Sequence, residues 1–134
     1  MRVLALDYGA ARIGCAVSDP SGTLATPLPL IEPPEPRSVV ELVARLEVGL
    51  VLVGLPIHLG GEEGSQAALT RSFCAELEAL LETPVDTYDE RLTTKMAERS
   101  QRLGAKAAPD SLAAAHLLEA YLAAHAEVRE EEND

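Results

Sequence analysis

The stretch Arg2-Val3-Leu4-Ala5-Leu6-Asp7-Tyr8-Gly9-Ala10-Ala11-Arg12-Ile13-Gly14-Cys15-Ala16-Val17-Ser18 decides the fold. Its opening run is apolar up to Asp7, the pattern of a strand covered on both faces. A carboxylate at the end of such a strand stays ionised only if it is paired, hydrogen-bonded or bound to a cation. Ala10-Ala11-Arg12 reads as a short connection into a second strand, Ile13 to Ser18. Asp19-Pro20-Ser21-Gly22 is then a turn, since proline fixes φ and glycine permits positive φ. A third strand is predicted from Thr23 to Ile31, and three strands joined this tightly are antiparallel neighbours.

Working outward, Glu32-Pro33-Pro34-Glu35-Pro36 cannot lie inside a helix, so it precedes one that carries Val39, Leu42, Val43 and Leu46 at helical spacing. Val48 to Leu55 is long and apolar enough for a buried strand, and Pro56 to Gly64 is a glycine-rich loop beyond its end. A helix from about Ser65 to Glu82 places Leu69, Phe73, Leu77 and Leu80 on one face. Thr83-Pro84 ends it, and Val85-Asp86-Thr87-Tyr88 forms a fifth strand running into Asp89-Glu90-Arg91-Leu92-Thr93. Two helices complete the chain, one from about Thr94 to Leu103 and one from near Pro109-Asp110 to about Ala126. The order βββαβαβαα predicts a single α/β domain, residues 1–126, with a mixed five-stranded sheet flanked by helices.

A chain of 134 residues fits one core, and with 47% hydrophobic but only 3% aromatic residues that core must be aliphatic. The net charge of -11 argues against nucleic-acid binding, which relies on Lys and Arg. Part of it is terminal: residues 127–134 hold Glu127, Glu130, Glu131, Glu132 and Asp134 against Arg129, the composition of an acidic, disordered tail. Clustered metal-binding carboxylates would account for more. Cys15 and Cys74 show no metal or redox spacing and read as buried thiols. The start lacks a signal-peptide pattern and no apolar stretch is long enough to span a membrane, so a cytoplasmic protein is expected.

The βα order puts Asp7 and Asp89-Glu90 at C-terminal strand ends, where open α/β sheets place their ligands. Asp110 opens the last helix, and Ala114, Leu117 and Tyr121 on the same helical face are mostly apolar, so that face should meet the sheet. Three acids from distant parts of the chain could then share one cation site. Oxygen ligands alone select Mg²⁺ or Mn²⁺ over zinc, and such a site suits phosphodiester hydrolysis. Each acid also has a plainer reading: Asp7 paired with Arg12, Glu90 in a surface pair with Arg91, Asp110 as an N-cap. Gly60, Gly61 and Gly64 fit a substrate loop or plain punctuation. His58 reads as a loop residue, and His116 and His125 as helix residues remote from the strand ends.

Asp7-Tyr8-Gly9-Ala10-Ala11-Arg12-Ile13-Gly14, Val53-Gly54-Leu55-Pro56, Asp89-Glu90-Arg91-Leu92-Thr93 and Asp110-Ser111-Leu112-Ala113-Ala114 resemble, in order, the motifs of the YqgF/RuvX family over about residues 2–122. Members of that family resemble Holliday junction resolvases of the RNase H-like fold and are described as nucleases of pre-16S rRNA processing. The resemblance implies that Asp7, Glu90 and Asp110 are metal-binding catalytic acids, with Asp89 as substitute at the second position. It places Arg12, Arg91 and Thr93 at the substrate edge. It also implies a Mg²⁺ or Mn²⁺ cofactor, pre-16S rRNA as substrate before DNA junctions, contact with ribosomal particles and a homodimer. Before the last motif family members often carry several basic residues, where this chain offers only Lys106. Two other classes compete. Asp-Tyr-Gly also resembles the phosphate hairpin of sugar-kinase and actin-like ATPases, but those close two such domains around ATP. The acidic balance would suit a non-catalytic ribosome- or RNA-associated binding protein.

Overall fold

The computed structural model describes residues 1–58, 60–93 and 109–125, with the backbone alone at positions 93, 109 and 110. Strands β1 (Arg2–Tyr8), β2 (Ile13–Ser18) and β3 (Ala25–Ile31) form the antiparallel meander. At the first turn the Gly9 N–H donates to the Arg12 carbonyl at 3.0 Å. A Cβ on Gly9 would sit 2.9 Å from that oxygen, so the tight approach requires glycine. At the second turn the Asp19 carboxylate accepts the backbone N–H groups of Thr23 at 2.7 Å and Leu24 at 2.9 Å. Those two residues are therefore turn, and β3 starts at Ala25 instead of the expected Thr23. Its Pro27 and Pro29 are tolerated because β3 is an edge strand.

Helix α1 (Pro36–Leu46) begins on a proline, and a single left-handed residue, Glu47 with φ 53°, joins it to β4 (Val48–Leu55). After α2 (Ser65–Leu80), β5 (Val85–Asp89) runs into a 3₁₀ turn, Glu90–Thr93, and α3 covers Pro109–Ala124. The sheet order is β3-β2-β1-β4-β5, with β4 parallel to both β1 and β5. Alternation along the strands divides the core. Leu4, Leu6, Val51 and Val53 pack with Val39 of α1 and Phe73 and Leu77 of α2. Val3, Ala5, Leu50 and Leu52 pack with Ala114, Leu117, Leu118 and Leu122 of α3.

One further expectation is corrected. Leu69 and Leu80 of α2 are about half exposed, because the buried face runs through Ala67, Thr70, Phe73, Cys74 and Leu77 and leaves them on its flanks. The segment after β5 that carries Glu90 and Arg91 is the 3₁₀ turn. The helix predicted over 94–103 and the acidic tail at 127–134 lie outside the described residues. Among the described residues no helix is long and apolar enough to cross a membrane.

Candidate active site

Asp7 shares the parity of Val3 and Ala5, so it points to the α3 face of the sheet at the end of β1. On β4, Gly54 shares the parity of Leu50 and Leu52 and lies one step beyond the Leu6–Val53 pair, beside Asp7. On β5, Tyr88 pairs with Gly54 and packs on the same core, and Glu90 follows two residues later. The half-buried Glu90 side chain reaches across β4 and its carboxyl group is hydrogen-bonded to that of Asp7. Burial raises the Glu90 pKa above the usual carboxylate value; the Asp7 hydrogen bond opposes this and the charge of Asp89 adds to it.

Asp89, the other half of the doublet, is committed elsewhere. Its carboxylate accepts Arg91 Nη2 at 2.6 Å, Arg91 Nε at 2.9 and 3.0 Å, and the Arg91 backbone N–H at 2.9 Å. It thus caps the 3₁₀ turn, and Arg91 holds its pKa below the ordinary value. Arg91 Nη1 also donates to the His58 carbonyl at 3.5 Å, tying the turn to the loop after β4. That loop closes on itself: Ile57 bridges to Glu63, the His58 N–H donates to Glu62, and the Gly61 N–H, at φ +90°, donates to His58. Gly61 therefore serves the turn's own geometry. Gln66 Nε2 donates to the Tyr8 carbonyl at 3.2 Å and fastens the start of α2 to the end of β1.

Arg12 lies at the tip of the β1–β2 turn, 3.7 Å from Glu32, with both side chains at least half exposed. Asp7 through Arg12 line an open hollow of about 340 Å³. A larger hollow of about 430 Å³ lies between β3 and α1, away from the carboxyl pair.

Asp110 occupies the first turn of α3, and its neighbour Ser111 explains how that turn is placed. The buried Ser111 hydroxyl donates to the Leu28 carbonyl at 2.7 Å and accepts the Cys15 N–H at 3.4 Å. It fills the irregularity where the β2–β3 register shifts between Ile13 and Cys15, so the start of α3 is pinned over the meander on the Asp7 face. Sequence reading missed Ser111. Its only signal was a small hydroxyl in an apolar helical stretch, and the bulge it serves has no sequence mark. The side chains of Asp110 and Thr93 are outside the described set, so of the three predicted acids Asp7 and Glu90 are the two seen to meet. Among the described residues there is no group of three or more His, Cys, Asp or Glu placed to hold a metal. His116 is buried in α3 with Nδ1 3.9 Å from Glu119, and His125 stacks on Tyr121.

The same architecture occurs in RuvC from T. thermophilus bound to a Holliday junction substrate, with a TM-score of 0.69 at 15% identity over 95% of this chain and 96% of that one. The fowlpox virus Holliday junction resolvase gives a TM-score of 0.52 at 13% identity, covering 92% and 99%. At such identities the likeness is one of fold, and the fold is RNase H-like. The chain is thus an RNase H-like α/β domain with a carboxyl pair where β1 and β5 end. Residues 1–124 match the family described as "RuvX: Holliday junction resolvase", and the chain belongs to that family. Its relatives include the "Putative pre-16S rRNA nuclease" of Chloroflexus aggregans, 43% identical over 130 residues, or 90% of this chain and 92% of that protein. A protein of the same name from Syntrophomonas wolfei is 36% identical over 91% of this chain and 94% of its own length.

Proposed function

We propose that this chain is a Mg²⁺- or Mn²⁺-dependent nuclease that hydrolyses phosphodiester bonds in 16S rRNA precursors in the cytoplasm. The observation that carries the reading is the meeting of the Asp7 and Glu90 carboxyl groups across β4, at the sheet edge where α3 begins. Their chemistry fits the cation: oxygen donors alone suit a hard, octahedral ion. Asp110 would supply a third carboxylate, and Asp89, bound to Arg91, is set aside as the substitute. When bound, the metal supplies an activated water and charge stabilisation at the leaving oxygen.

The chain's own residues do the rest. Asp7 and Glu90 hold two ligand positions at a fixed separation, and Ser111 fixes the helix bearing the third. Arg12, Arg91 and Thr93 border the strand ends, where they would hold phosphates and orient the scissile bond. The names of the relatives favour precursor rRNA, met on ribosomal particles. The family description favours four-way DNA junctions as a second reading, for which a homodimer would cut symmetrically.

The test is cleavage by purified protein of a precursor 16S rRNA fragment, a four-way DNA junction and matched single strands, with Mn²⁺ or with chelator. Expected is metal-dependent cutting of the RNA, abolished in Asp7→Asn with the fold intact. Preference for the junction would replace RNA by DNA. Binding of all substrates with no metal-dependent cutting of any would leave the non-catalytic binding protein instead.

A further inference from the structure

The motif Val53-Gly54-Leu55-Pro56 has no role in the chemistry above, yet it contains the residue over which the carboxyl pair forms. In the sheet order β4 separates β1 from β5. Two strand spacings, about 9–10 Å, therefore lie between the backbones that carry Asp7 and Glu90. The two carboxyl groups can meet only above β4, and Glu90 crosses it at Gly54. An ideal Cβ on Gly54 would stand 2.9 Å from Glu90 Oε1 and 3.2 Å from Glu90 Cγ. The same Cβ would also meet Leu117 Cδ2 of α3 at 3.2 Å, so the group that must give way to it is the Glu90 carboxyl, the nearest and most mobile of the three contacts. Glycine within a strand weakens it and usually marks a close approach by another group. The approaching group here is the Glu90 side chain.

We propose that Gly54 is a positioning residue of the nuclease site: its missing side chain is the seat across which Glu90 reaches Asp7. This rests on the reading of Asp7 and Glu90 as metal ligands. Any side chain at position 54 moves the Glu90 carboxyl off Asp7 and separates two ligands of one cation without touching either. The effect should appear in metal affinity and turnover, and leave nucleic-acid binding, which depends on other residues, nearly unchanged.

The experiment is a double-mutant cycle on the full chain, reading Mn²⁺ binding by calorimetry and then kcat and KM on the RNA substrate. Gly54→Ala is expected to weaken Mn²⁺ at least tenfold and to lower kcat with KM within about twofold. In a Glu90→Gln background, where that ligand is already lost, Gly54→Ala is expected to weaken Mn²⁺ by less than about twofold. Mn²⁺ binding by Gly54→Ala equal to wild type would overturn the proposal, as would an undiminished loss in the Glu90→Gln background. If Glu90→Gln alone leaves Mn²⁺ binding unchanged, the ligand reading fails and the proposal with it. Should Gly54→Ala not fold by circular dichroism, Gly54→Ala with Leu117→Val opens the helix side and leaves only the Glu90 contact. The same cycle is then read on that pair.

Discussion

At the scale of single residues, the acid doublet that the sequence left open is separated by what each carboxyl group touches. Glu90 meets Asp7, whereas Asp89 caps the 3₁₀ turn and holds Arg91 in a bidentate pair. Thermal melts with and without Mn²⁺ test the division. A ligand present at about a hundred times its dissociation constant stabilises by about 2.7 kcal/mol. Wild type should gain several degrees and Glu90→Gln should lose most of that gain. Asp89→Asn should keep it while melting slightly lower in both conditions, because the charge that holds the Arg91 guanidinium is lost. The opposite pattern would make Asp89 the ligand. A second residue, Cys15, supplies a pH dependence, since burial pushes its thiol pKa from 9.0 up to about 12. Between those values the unfolded chain releases a proton that the folded chain keeps. Stability from this group is therefore complete below about pH 9 and is lost as pH rises toward 12, by about 1.4 kcal/mol per unit. Urea melts at pH 8 and pH 10 should show a larger drop for wild type than for Cys15→Ala. Equal drops would mean that the thiol ionises freely in the fold.

At the scale of elements, α3 packs on the sheet through its apolar face, and one hydroxyl group pins its first turn to the meander. Ser111 satisfies a partly buried carbonyl of β3 and a buried N–H of β2 at a bulge. Ser111→Ala should cost about 1–3 kcal/mol, the penalty for stranding buried polar groups, and lower Tm by several degrees. A melt unchanged from wild type would show that neither group depended on the hydroxyl. This element also marks the limit of sequence reading. Strand β4 and the meander were legible because apolar runs bounded by turn residues leave few alternatives, and α1 because its apolar spacing is regular. The ends of β3 and the flanks of α2 were not, since Asp19 capping and the competing rows of Leu69 and Leu80 are settled by contacts. The strand-end position of Asp7 was legible as local pattern. That Glu90 would share its edge was expected too; that the two would meet over Gly54 was not, because this depends on β4 lying between β1 and β5, and strand order is a property of the whole sheet.

At the scale of the whole molecule, the net charge of -11 has to be reconciled with a polyanionic substrate. Long-range attraction is absent, so binding must come from a few short-range phosphate contacts made by bases next to the site. Those bases carry acidic partners: Arg12 lies by Glu32 and Arg91 by Asp89. A phosphate that engages Arg12 competes with a carboxylate already there, which lowers the net gain. With about three phosphate contacts the slope of log K against log salt should be only about -2 to -3. Removing a competing carboxylate should raise affinity. Glu32 is the right place to try, because it is well exposed, pairs with Arg12 at 3.7 Å and lies outside the acids proposed to bind metal. Exposed pairs are worth up to about 1 kcal/mol, so Glu32→Gln should tighten RNA binding by up to about fivefold at low salt. The gain should shrink as salt rises, with Mn²⁺ affinity unchanged. Fluorescence anisotropy across a salt series measures both the slope and the gain. A slope as steep as -6 to -10 would mean an extended basic contact surface, and an unaltered affinity in Glu32→Gln would remove Arg12 from the nucleic-acid interface.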